Sequence, residues 1–371
     1  MKRAGLAAIG LALLITALAA NQRWLDRHFL PSFLLSRHRY TQIETLVRLV
    51  FGTIAVSLIL MSRPAARLVT TRNARRALRM VVAAALALVA SELTLNRLNL
   101  GPTEWLESED EPRRQPDPRL GWTLVPTRIG HGTIGGRTVE YAIDSAGYRV
   151  HSHDTPVDHD RPAILFAGES MMFGEGLSWD ESVPAEVGTL MGVQSANLAV
   201  HGFSTDQAYL RLQEELPRFR HPVAVVSMFM TALFGRNLDD DRPHLGPGLV
   251  WLPAVQHSHL KSLATLLVPY RSDTTVERGI TVTREALRAT VELARSRGAT
   301  PLIVVPQFGP EDELERMLRR RILDPAVVPY TLVEIDAIWR LPWDQHPDAR
   351  ASHAIASAIA ARLQELSIAS H

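Results

Sequence analysis

Residues 163–176 read AILFAGESMMFGEG, an apolar run that ends in a small residue, a glutamate and a serine. A short apolar run bounded by a tight turn is typical of a buried strand of a parallel sheet. A serine at the start of the following helix presents its hydroxyl beside backbone N–H groups that the helix leaves unpaired. A helix-capping serine has the same local pattern. This segment alone therefore does not distinguish a helix-capping serine from a reactive one, and other segments of the chain are needed.

The same alternation of apolar runs and helical stretches continues toward the C-terminus. The further runs are VQSANLAV (193–200), VAVVSMF (223–229), PLIVVPQF (301–308) and TLVEID (331–336). Strands that alternate with helices form a parallel sheet with both faces covered. We therefore predict an α/β fold over residues 162–371, a three-layer, flavodoxin-like domain with a five-stranded parallel sheet. The long stretch from Leu233 to Thr281 is predicted to be a lid or substrate loop.

Two further segments lie where such a sheet binds ligands, beyond the carboxyl ends of its strands. The second strand is followed by a glycine, Gly202, whose N–H can approach a bound group. The last strand is followed by Trp343-Asp344-Gln345-His346 and an alanine-rich helix. An aspartate and a histidine two residues apart in a loop can place an imidazole over a serine, with the carboxylate orienting its other nitrogen.

Together the three segments resemble the SGNH (GDSL) hydrolase family over about residues 162–369. The three similar blocks are AGES (167–170), with Glu169 where an aspartate is usual, NLAVHGFST (197–205) and WDQHPDARASHAIASAIA (343–360). The resemblance implies a serine esterase in which Ser170 is the nucleophile, His346 the base and Asp344 its orienting carboxylate. It also implies that the N–H groups of Ser170 and Gly202 bind the oxyanion, with no metal and no organic cofactor.

One block of the family pattern is missing. The family usually has Gly-x-Asn-Asp after the third strand, and its asparagine donates to the oxyanion, whereas this chain reads VAVVSMFMTALFGRN (223–237). Thr231 stands nearest to that position, and the first asparagine is Asn237. We assign the third donor to Asn237, with Thr231 as the alternative and an absent donor as the remaining one. Loss of such a donor costs about 10²–10³ in rate.

The first hundred residues are rich in Leu, Ala and Val and contain three apolar segments, 5–20, 43–61 and 77–95. About 20 apolar residues cross a bilayer of roughly 30 Å. We therefore predict that residues 1–98 are a membrane anchor with two or three transmembrane helices. The first segment follows Lys2 and Arg3 and also resembles a cleavable signal peptide. The sequence leaves open whether residues 1–20 are removed.

Charges in the loops predict the orientation of this anchor. The loop between the second and third segments is rich in arginine, and such loops are cytoplasmic. Acidic residues follow the third segment. We expect a multi-pass protein of the inner (cytoplasmic) membrane whose C-terminal domain is periplasmic or extracellular. Residues 99–161 are predicted to be a linker and a small β region with Gly135-Gly136 in a hairpin.

The composition of the 371-residue chain argues against some classes of binding partner. The 40 Lys+Arg balance 39 Asp+Glu, which argues against a nucleic-acid partner, and the absence of cysteine excludes disulfides and thiol chemistry. The expected partners are the lipid bilayer and an acylated glycan or lipid. The favoured function is a membrane-anchored esterase that hydrolyses O-acyl groups of a cell-envelope glycan or lipid. The alternatives are an O-acyltransferase acting on a glycan and a non-catalytic binding protein of the same fold.

Overall fold

The computed structural model describes residues 2–19, 37–62, 71–97, 111–259, 271–323 and 328–368. The chain divides into two compact units. The first unit contains the N-terminal helices together with residues 257–259 and 271–272. The second contains residues 111–256 and the described residues from Asp273 onward.

The first unit is helical, with α1 (Lys2–Ala19), α2 (Arg37–Leu60) and α3 (Thr71–Arg97). In α2, Thr41–Leu60 is long and apolar enough to cross a membrane, with a mean hydropathy of 2.0. The apolar parts of α1 and α3, Gly5–Ala19 and Val82–Leu95, are shorter than a span requires. The sequence predicts two or three spanning helices. Among the described residues, one helix meets the length and composition of a span.

Small residues let α1 and α2 approach closely. A Cβ on Gly10 would lie 2.9 Å from the Ala55 carbonyl oxygen, so the backbones meet where the side chains are smallest. Glu92, a carboxylate in the apolar part of α3, accepts a hydrogen bond from the His259 backbone N–H at 2.9 Å. This acidic side chain therefore has a polar partner within the first unit.

The second unit begins with two short antiparallel strands, followed by the strands of a larger sheet and a further short pair. The strands are β1 (Arg114–Asp117), β2 (Gly121–Leu124), β3 (Arg128–Ile134), β4 (Arg137–Ile143), β5 (Arg149–Val150), β6 (Ala163–Ala167), β7 (Gln194–Asn197), β8 (Pro222–Met228), β9 (His244–Gly246), β10 (Val250–Leu252), β11 (Thr300–Phe308) and β12 (Tyr330–Ile335). The helices are α4 (Ser170–Phe173), α5 (Val183–Met191), α6 (Thr205–Glu215), α7 (Asp273–Ser296), α8 (Glu313–Ile322) and α9 (Ala349–Ile368). Short 3₁₀ helices span Leu216–Arg218, Thr231–Leu238 and Pro247–Leu249.

The larger sheet is mixed, with strand order β12-β11-β8-β6-β7-β5-β4-β3. Its first five strands are mutually parallel, and these are the five apolar runs that the sequence predicts as strands. β5, β4 and β3 continue the sheet in antiparallel fashion beyond β7. The sequence predicts a linker and a small β region over residues 99–161. Arg149 of β5 pairs with Asn197, which covers the edge that β7 would otherwise expose.

Helices cover both faces of the parallel strands, because alternate residues of a strand point to opposite sides. On one side, Ile164 and Phe166 of β6 share a buried cluster with residues of α5 and α9. On the other side, Leu165 and Ala167 pack with residues of α6 and α7. β6 is buried along its whole length. The nucleophile-bearing turn predicted from the sequence therefore follows the most enclosed strand of a three-layer fold.

Arg149, the first residue of β5, is completely buried. Its guanidinium donates to the carbonyl oxygens of Phe173 at 2.7 Å, Gly174 at 2.6 Å and Leu177 at 2.6 Å. It also lies 4.9 Å from the ring centroid of Tyr141. Burial lowers the pKa of Arg149 to about 10, so the group is still charged at neutral pH. One side chain thus ties the antiparallel edge to the loop that follows α4.

Replacing Arg149 with methionine tests this link. The substitution keeps an apolar stem but leaves the Leu177 carbonyl oxygen without a donor, whereas the Phe173 and Gly174 carbonyls keep the Asn197 amide (3.2 Å) and the Leu177 N–H (3.1 Å). Because a buried cationic donor is also lost, we expect the free energy of unfolding to fall by about 2–4 kcal/mol. Urea unfolding of the full chain, followed by tryptophan fluorescence, measures the change. The control is Arg220→Met, which removes an exposed ion pair with Asp160 and should change stability by less than about 1 kcal/mol. Equal midpoints for the two variants would contradict the assignment.

Candidate active site

The turn between β6 and α4 places a serine at the carboxyl edge of the sheet. Gly168 fits there because a Cβ would lie 2.8 Å from the Met172 Cβ. Glu169 is the N-cap of α4, and its carboxylate accepts a hydrogen bond from the Met171 N–H at 3.1 Å. Ser170 begins the helix and is nearly buried. Glu169 therefore caps the helix, and the Ser170 hydroxyl is not used for capping.

The structure brings together the three residues that the sequence predicts as catalytic. The Ser170 Oγ lies 2.8 Å from the His346 Nε2, and the His346 Nδ1 lies 2.6 Å from the Asp344 Oδ1. The same Asp344 oxygen accepts a hydrogen bond from the His346 backbone N–H at 2.7 Å. The aspartate therefore fixes both the ring and the backbone of the histidine. This is the geometry of a serine–histidine–aspartate triad.

Opposing effects set the protonation of His346. Burial alone would lower the pKa of the imidazole, but the hydrogen bond to Asp344 and the nearby carboxylates of Glu175 and Glu169 outweigh it and raise the pKa above its ordinary value. The Glu175 Oε2 lies 3.5 Å from the His346 Nε2. Burial disfavours the ionised form of Asp344, but the hydrogen bonds from His346 prevail and lower its pKa. The site is therefore built to stabilise an imidazolium beside an ionised aspartate.

Arg340 stabilises the loop that carries Asp344 and His346. The Arg340 guanidinium donates to the Gln345 carbonyl oxygen and lies 4.1 Å from the Phe308 ring centroid. Backbone hydrogen bonds from Leu341 to the His346 carbonyl (2.9 Å) and from Asp344 to the Leu341 carbonyl (3.1 Å) close the loop. The sequence contains no signal for this role of Arg340, because an isolated arginine in a loop has no characteristic pattern.

The loop after β7 brings Gly202 to the same edge of the sheet. The Val200 N–H donates to the Gly168 carbonyl at 3.3 Å, which ties this loop to the serine turn. Gly202 has a φ of +81°, and a Cβ there would lie 3.1 Å from the Trp122 indole. Within the described residues, neither the Ser170 N–H nor the Gly202 N–H donates to another protein group. Both predicted oxyanion donors are therefore available.

Trp122 of β2 orients the Gly202 donor. The indole N–H donates to the His201 carbonyl oxygen at 3.1 Å. That carbonyl and the Gly202 N–H belong to one planar peptide group and point in opposite directions. Arg242 holds the next peptide by donating to the Gly202 carbonyl at 2.7 Å, and its guanidinium lies 5.2 Å from the Trp122 ring centroid. The sequence contains no signal for these roles, because Trp122 and Arg242 lie outside the three motif blocks along the chain.

The structure uses Asn237 differently from the prediction. Its Oδ1 accepts a hydrogen bond from the Thr205 N–H at 2.9 Å, and its Nδ2 donates to the hydroxyls of Thr205 (3.0 Å) and Thr283 (2.9 Å). Because both amide hydrogens are used, Asn237 joins α6 to α7 and has none left for an oxyanion. The cause is the 3₁₀ helix after β8, which begins at Thr231. Thr231, the alternative donor, is buried at the start of that helix.

A metal site has no support in the described residues. No group of three or more His, Asp or Glu side chains among them is arranged to hold a metal ion.

The chain has low similarity to several proteins of known structure. No family model matches the chain, and no curated protein matches it. A protein assigned as an arylesterase from Agrobacterium tumefaciens is 16% identical over 55% of this chain and 99% of its own, with a TM-score of 0.34. A G-D-S-L family lipolytic protein from Desulfitobacterium hafniense is 12% identical over 54% and 98%, with a TM-score of 0.35. An acetyl xylan esterase from Butyrivibrio proteoclasticus is 11% identical over 57% and 64%, with a TM-score of 0.34. With similarity this low, the function of this chain has to be argued from its own site.

Trp122→Phe tests the orientation of the Gly202 donor. Phenylalanine keeps the aromatic packing but has no N–H for the His201 carbonyl, so we expect kcat for p-nitrophenyl acetate to fall about tenfold with little change in KM. Release of p-nitrophenolate by the full chain measures both constants. The matched control is Trp251→Phe, which removes an indole hydrogen bond of 3.0 Å to the Arg119 carbonyl elsewhere on the unit. An equal loss in both variants would show a general effect on packing.

Proposed function

We propose that this chain is a serine esterase of the SGNH type that hydrolyses carboxylic esters. The observation that carries the proposal is the chain of hydrogen-bond distances from Ser170 through His346 to Asp344, at 2.8 and 2.6 Å. It lies at the carboxyl edge of a parallel sheet, where α/β proteins bind their ligands. The two unpaired N–H groups of Ser170 and Gly202 complete the requirements for acyl transfer.

In the proposed reaction the Ser170 Oγ attacks the ester carbonyl carbon, and its proton passes to the His346 Nε2. Asp344 stabilises the imidazolium that forms and keeps the ring in the required tautomer. The negative charge on the former carbonyl oxygen is bound by the N–H groups of Ser170 and Gly202. His346 then returns the proton to the leaving alcohol. Water repeats the sequence on the acyl-serine and releases the acid.

Two alternatives use the same site. A glycan hydroxyl in place of water would give an O-acyltransferase with the same nucleophile and base. A non-catalytic binding protein is favoured by one observation, the engagement of Asn237 with Thr205 and Thr283, which leaves the site without the asparagine donor of the family pattern. The triad is assembled at hydrogen-bonding distances, which favours an enzyme over the binding protein.

We further propose that the substrate is an O-acylated glycan or lipid of the cell envelope. Trp343 directly precedes Asp344, is fully exposed and has a φ of +62°. A bulky residue in the left-handed region is strained, and such strain persists where surrounding structure holds it, often at binding sites. Ile338 on the same loop is also largely exposed. An exposed indole beside the triad offers a flat apolar surface for a sugar ring or an acyl chain.

The proposal extends to membrane attachment. Thr41–Leu60 has the length and hydropathy of a spanning helix, and only 6% of that stretch is buried. We propose that the N-terminal part anchors the chain in the inner membrane, with the bilayer as its partner and the α/β unit outside the cytoplasm. Arginines between the second and third apolar segments support this orientation. Attachment to a membrane suits an enzyme whose substrate belongs to a surface or a polymer.

The proposed function predicts that Ser170→Ala and His346→Ala each lower the hydrolysis of p-nitrophenyl acetate and butyrate at least about 10³-fold. Absorbance assays on the full chain, with a melting temperature for each variant, check this. His353→Ala is the control, because His353 lies on α9 and pairs with Glu186 at 2.6 Å outside the triad. Activity that survives both triad substitutions would reject the site. A folded wild-type chain without activity would favour the transferase or the binding protein.

Trp343→Ala tests the substrate surface. We expect kcat/KM for an O-acetylated oligosaccharide or a long-chain ester to fall about tenfold, since the contact is lost but the triad is untouched. The small ester p-nitrophenyl acetate does not reach beyond the triad and should be hydrolysed at the wild-type rate. Both substrates are measured with one enzyme preparation, so that differences in the amount of active enzyme cancel. Equal losses on both would show that Trp343 supports the loop rather than the substrate.

A further inference from the structure

The Ser170 hydroxyl lies between two acceptors. Its Oγ is 2.8 Å from the His346 Nε2 on one side and 2.7 Å from the Glu169 Oε2 on the other. A serine hydroxyl has a single hydrogen and can donate to only one of them at a time. The second contact is a hydrogen bond only when the other group supplies a hydrogen of its own. The reaction described above has no role for Glu169.

Glu169 is placed to keep its oxygen against the serine. Its side chain is nearly buried, and the same Oε2 accepts a hydrogen bond from the Met171 N–H at 3.1 Å. The Arg236 Nη1 lies 3.8 Å from that oxygen. The carboxylate is therefore restrained by the backbone of α4 on one side and by a cation from the 3₁₀ helix Thr231–Leu238 on the other.

With Glu169 ionised, one protonation state of His346 makes all three short contacts hydrogen bonds. When His346 is an imidazolium, Nδ1–H donates to Asp344, Nε2–H donates to the Ser170 Oγ, and the serine hydroxyl donates to Glu169. When His346 is neutral, the hydroxyl must turn to Nε2 before it can be deprotonated. Two oxygen atoms then face each other at the 2.7 Å contact without a hydrogen, unless Glu169 moves.

We propose that Glu169 is a positioning residue that holds the Ser170 hydroxyl in the resting enzyme. The serine becomes nucleophilic only after His346 releases a proton to solvent and the hydroxyl hydrogen turns from Glu169 to the His346 Nε2. This inference rests on the proposed esterase function. It assigns to the glutamate of Gly168-Glu169-Ser170 a part in setting the pH at which the enzyme becomes active.

The surroundings of His346 support the protonated resting state. The charged or titratable groups that face His346 or its partners come from several elements: Asp344, Glu175, Glu169, Arg236, Arg340 and His201. His201 is neutral, since burial lowers its pKa to about 3. The carboxylates prevail at His346 and raise its pKa. Activity requires the neutral base, so kcat/KM rises with pH through a value above 6.5, the ordinary pKa of histidine.

Two substitutions separate the hydrogen bond from the charge of Glu169. Glu169→Asp keeps the charge but withdraws the oxygen from the serine by one methylene. Glu169→Gln removes the charge as well. We expect the acid limb of kcat/KM for p-nitrophenyl acetate to move to lower pH by about half a unit in Glu169→Asp and further in Glu169→Gln. Glu186→Gln, which removes a carboxylate paired with His353 outside the triad, should leave the acid limb unchanged.

A second readout does not depend on the natural substrate. A fluorophosphonate reacts when the Ser170 Oγ forms a bond to phosphorus, the phosphorus–fluorine bond breaks, fluoride leaves and the hydroxyl proton passes to His346. The pH dependence of labelling of the full chain should shift in the same order as that of kcat/KM. An acid limb in Glu169→Asp equal to the wild-type limb would overturn the inference, even if Glu169→Gln shifts it, because charge alone would then be responsible.

A double substitution tests whether Glu169 acts on His346 through the serine hydroxyl. In the Ser170→Ala background Glu169 has no hydroxyl through which to act, so adding Glu169→Asp should leave the pKa of His346, measured by NMR titration, unchanged. If Glu169→Asp shifts the pKa of His346 as much in the Ser170→Ala variant as it does when Ser170 is present, the result would contradict the proposed contact. The labelling experiment distinguishes failure of the esterase proposal from failure of the proposed role of Glu169. A wild-type chain without Ser170-dependent labelling at any pH would reject the esterase, whereas labelling with unshifted variants would reject only the role of Glu169.

Discussion

Parallel pairing of β6 with β7 and β8 is the constraint from which the site follows. Phe166 pairs with Asn197 and Ala167 pairs with Ser227, so three chain segments leave the sheet at one edge and at nearly the same level. Ser170, Gly202 and Thr231 each follow one of these strands within a few residues. A shift of one residue in register would turn the buried side chains of β6 to the opposite face. Burial on both faces therefore fixes the positions of the proposed nucleophile and its oxyanion donor at once.

The sequence predicts those parts of the molecule that have a local signal. Apolar runs between turns predict the five parallel strands, and the three motif blocks predict the residues that the structure places in the triad. The roles of Arg149, Trp122 and Arg242 have no such signal, because their partners lie far along the chain and their contacts depend on packing. The same holds for β3, β4 and β5, whose alternating pattern predicts strands but not the sheet that they join. Asn237 has the residue type that an oxyanion donor needs, but the 3₁₀ helix directs its amide elsewhere.

The site combines several buried charges that would be costly in isolation. Glu169, Glu175 and Asp344 surround one imidazole, and Arg236 and Arg340 lie beside the carboxylates. In a region of low dielectric these interactions are stronger than they would be in water. An excess of carboxylates raises the pKa of His346 and stabilises the imidazolium that forms during acyl transfer. The same excess means that His346 loses its proton, and becomes the neutral base, only at higher pH. Stabilisation of the imidazolium during the reaction and availability of the neutral base in the resting enzyme therefore oppose each other.

The oxyanion site illustrates how the fold can compensate for a missing donor. With Asn237 engaged by Thr205 and Thr283, the proposed reaction relies on the N–H groups of Ser170 and Gly202. Donors lower a barrier most when they already point at the developing charge and need no reorganisation. The Ser170 N–H is fixed by α4, but a glycine with a φ of +81° is intrinsically mobile. The indole of Trp122 and the guanidinium of Arg242 bind the carbonyls on either side of that glycine. A rigid second donor is what a two-donor site needs, and the indole from the short β1-β2 pair helps to make it rigid.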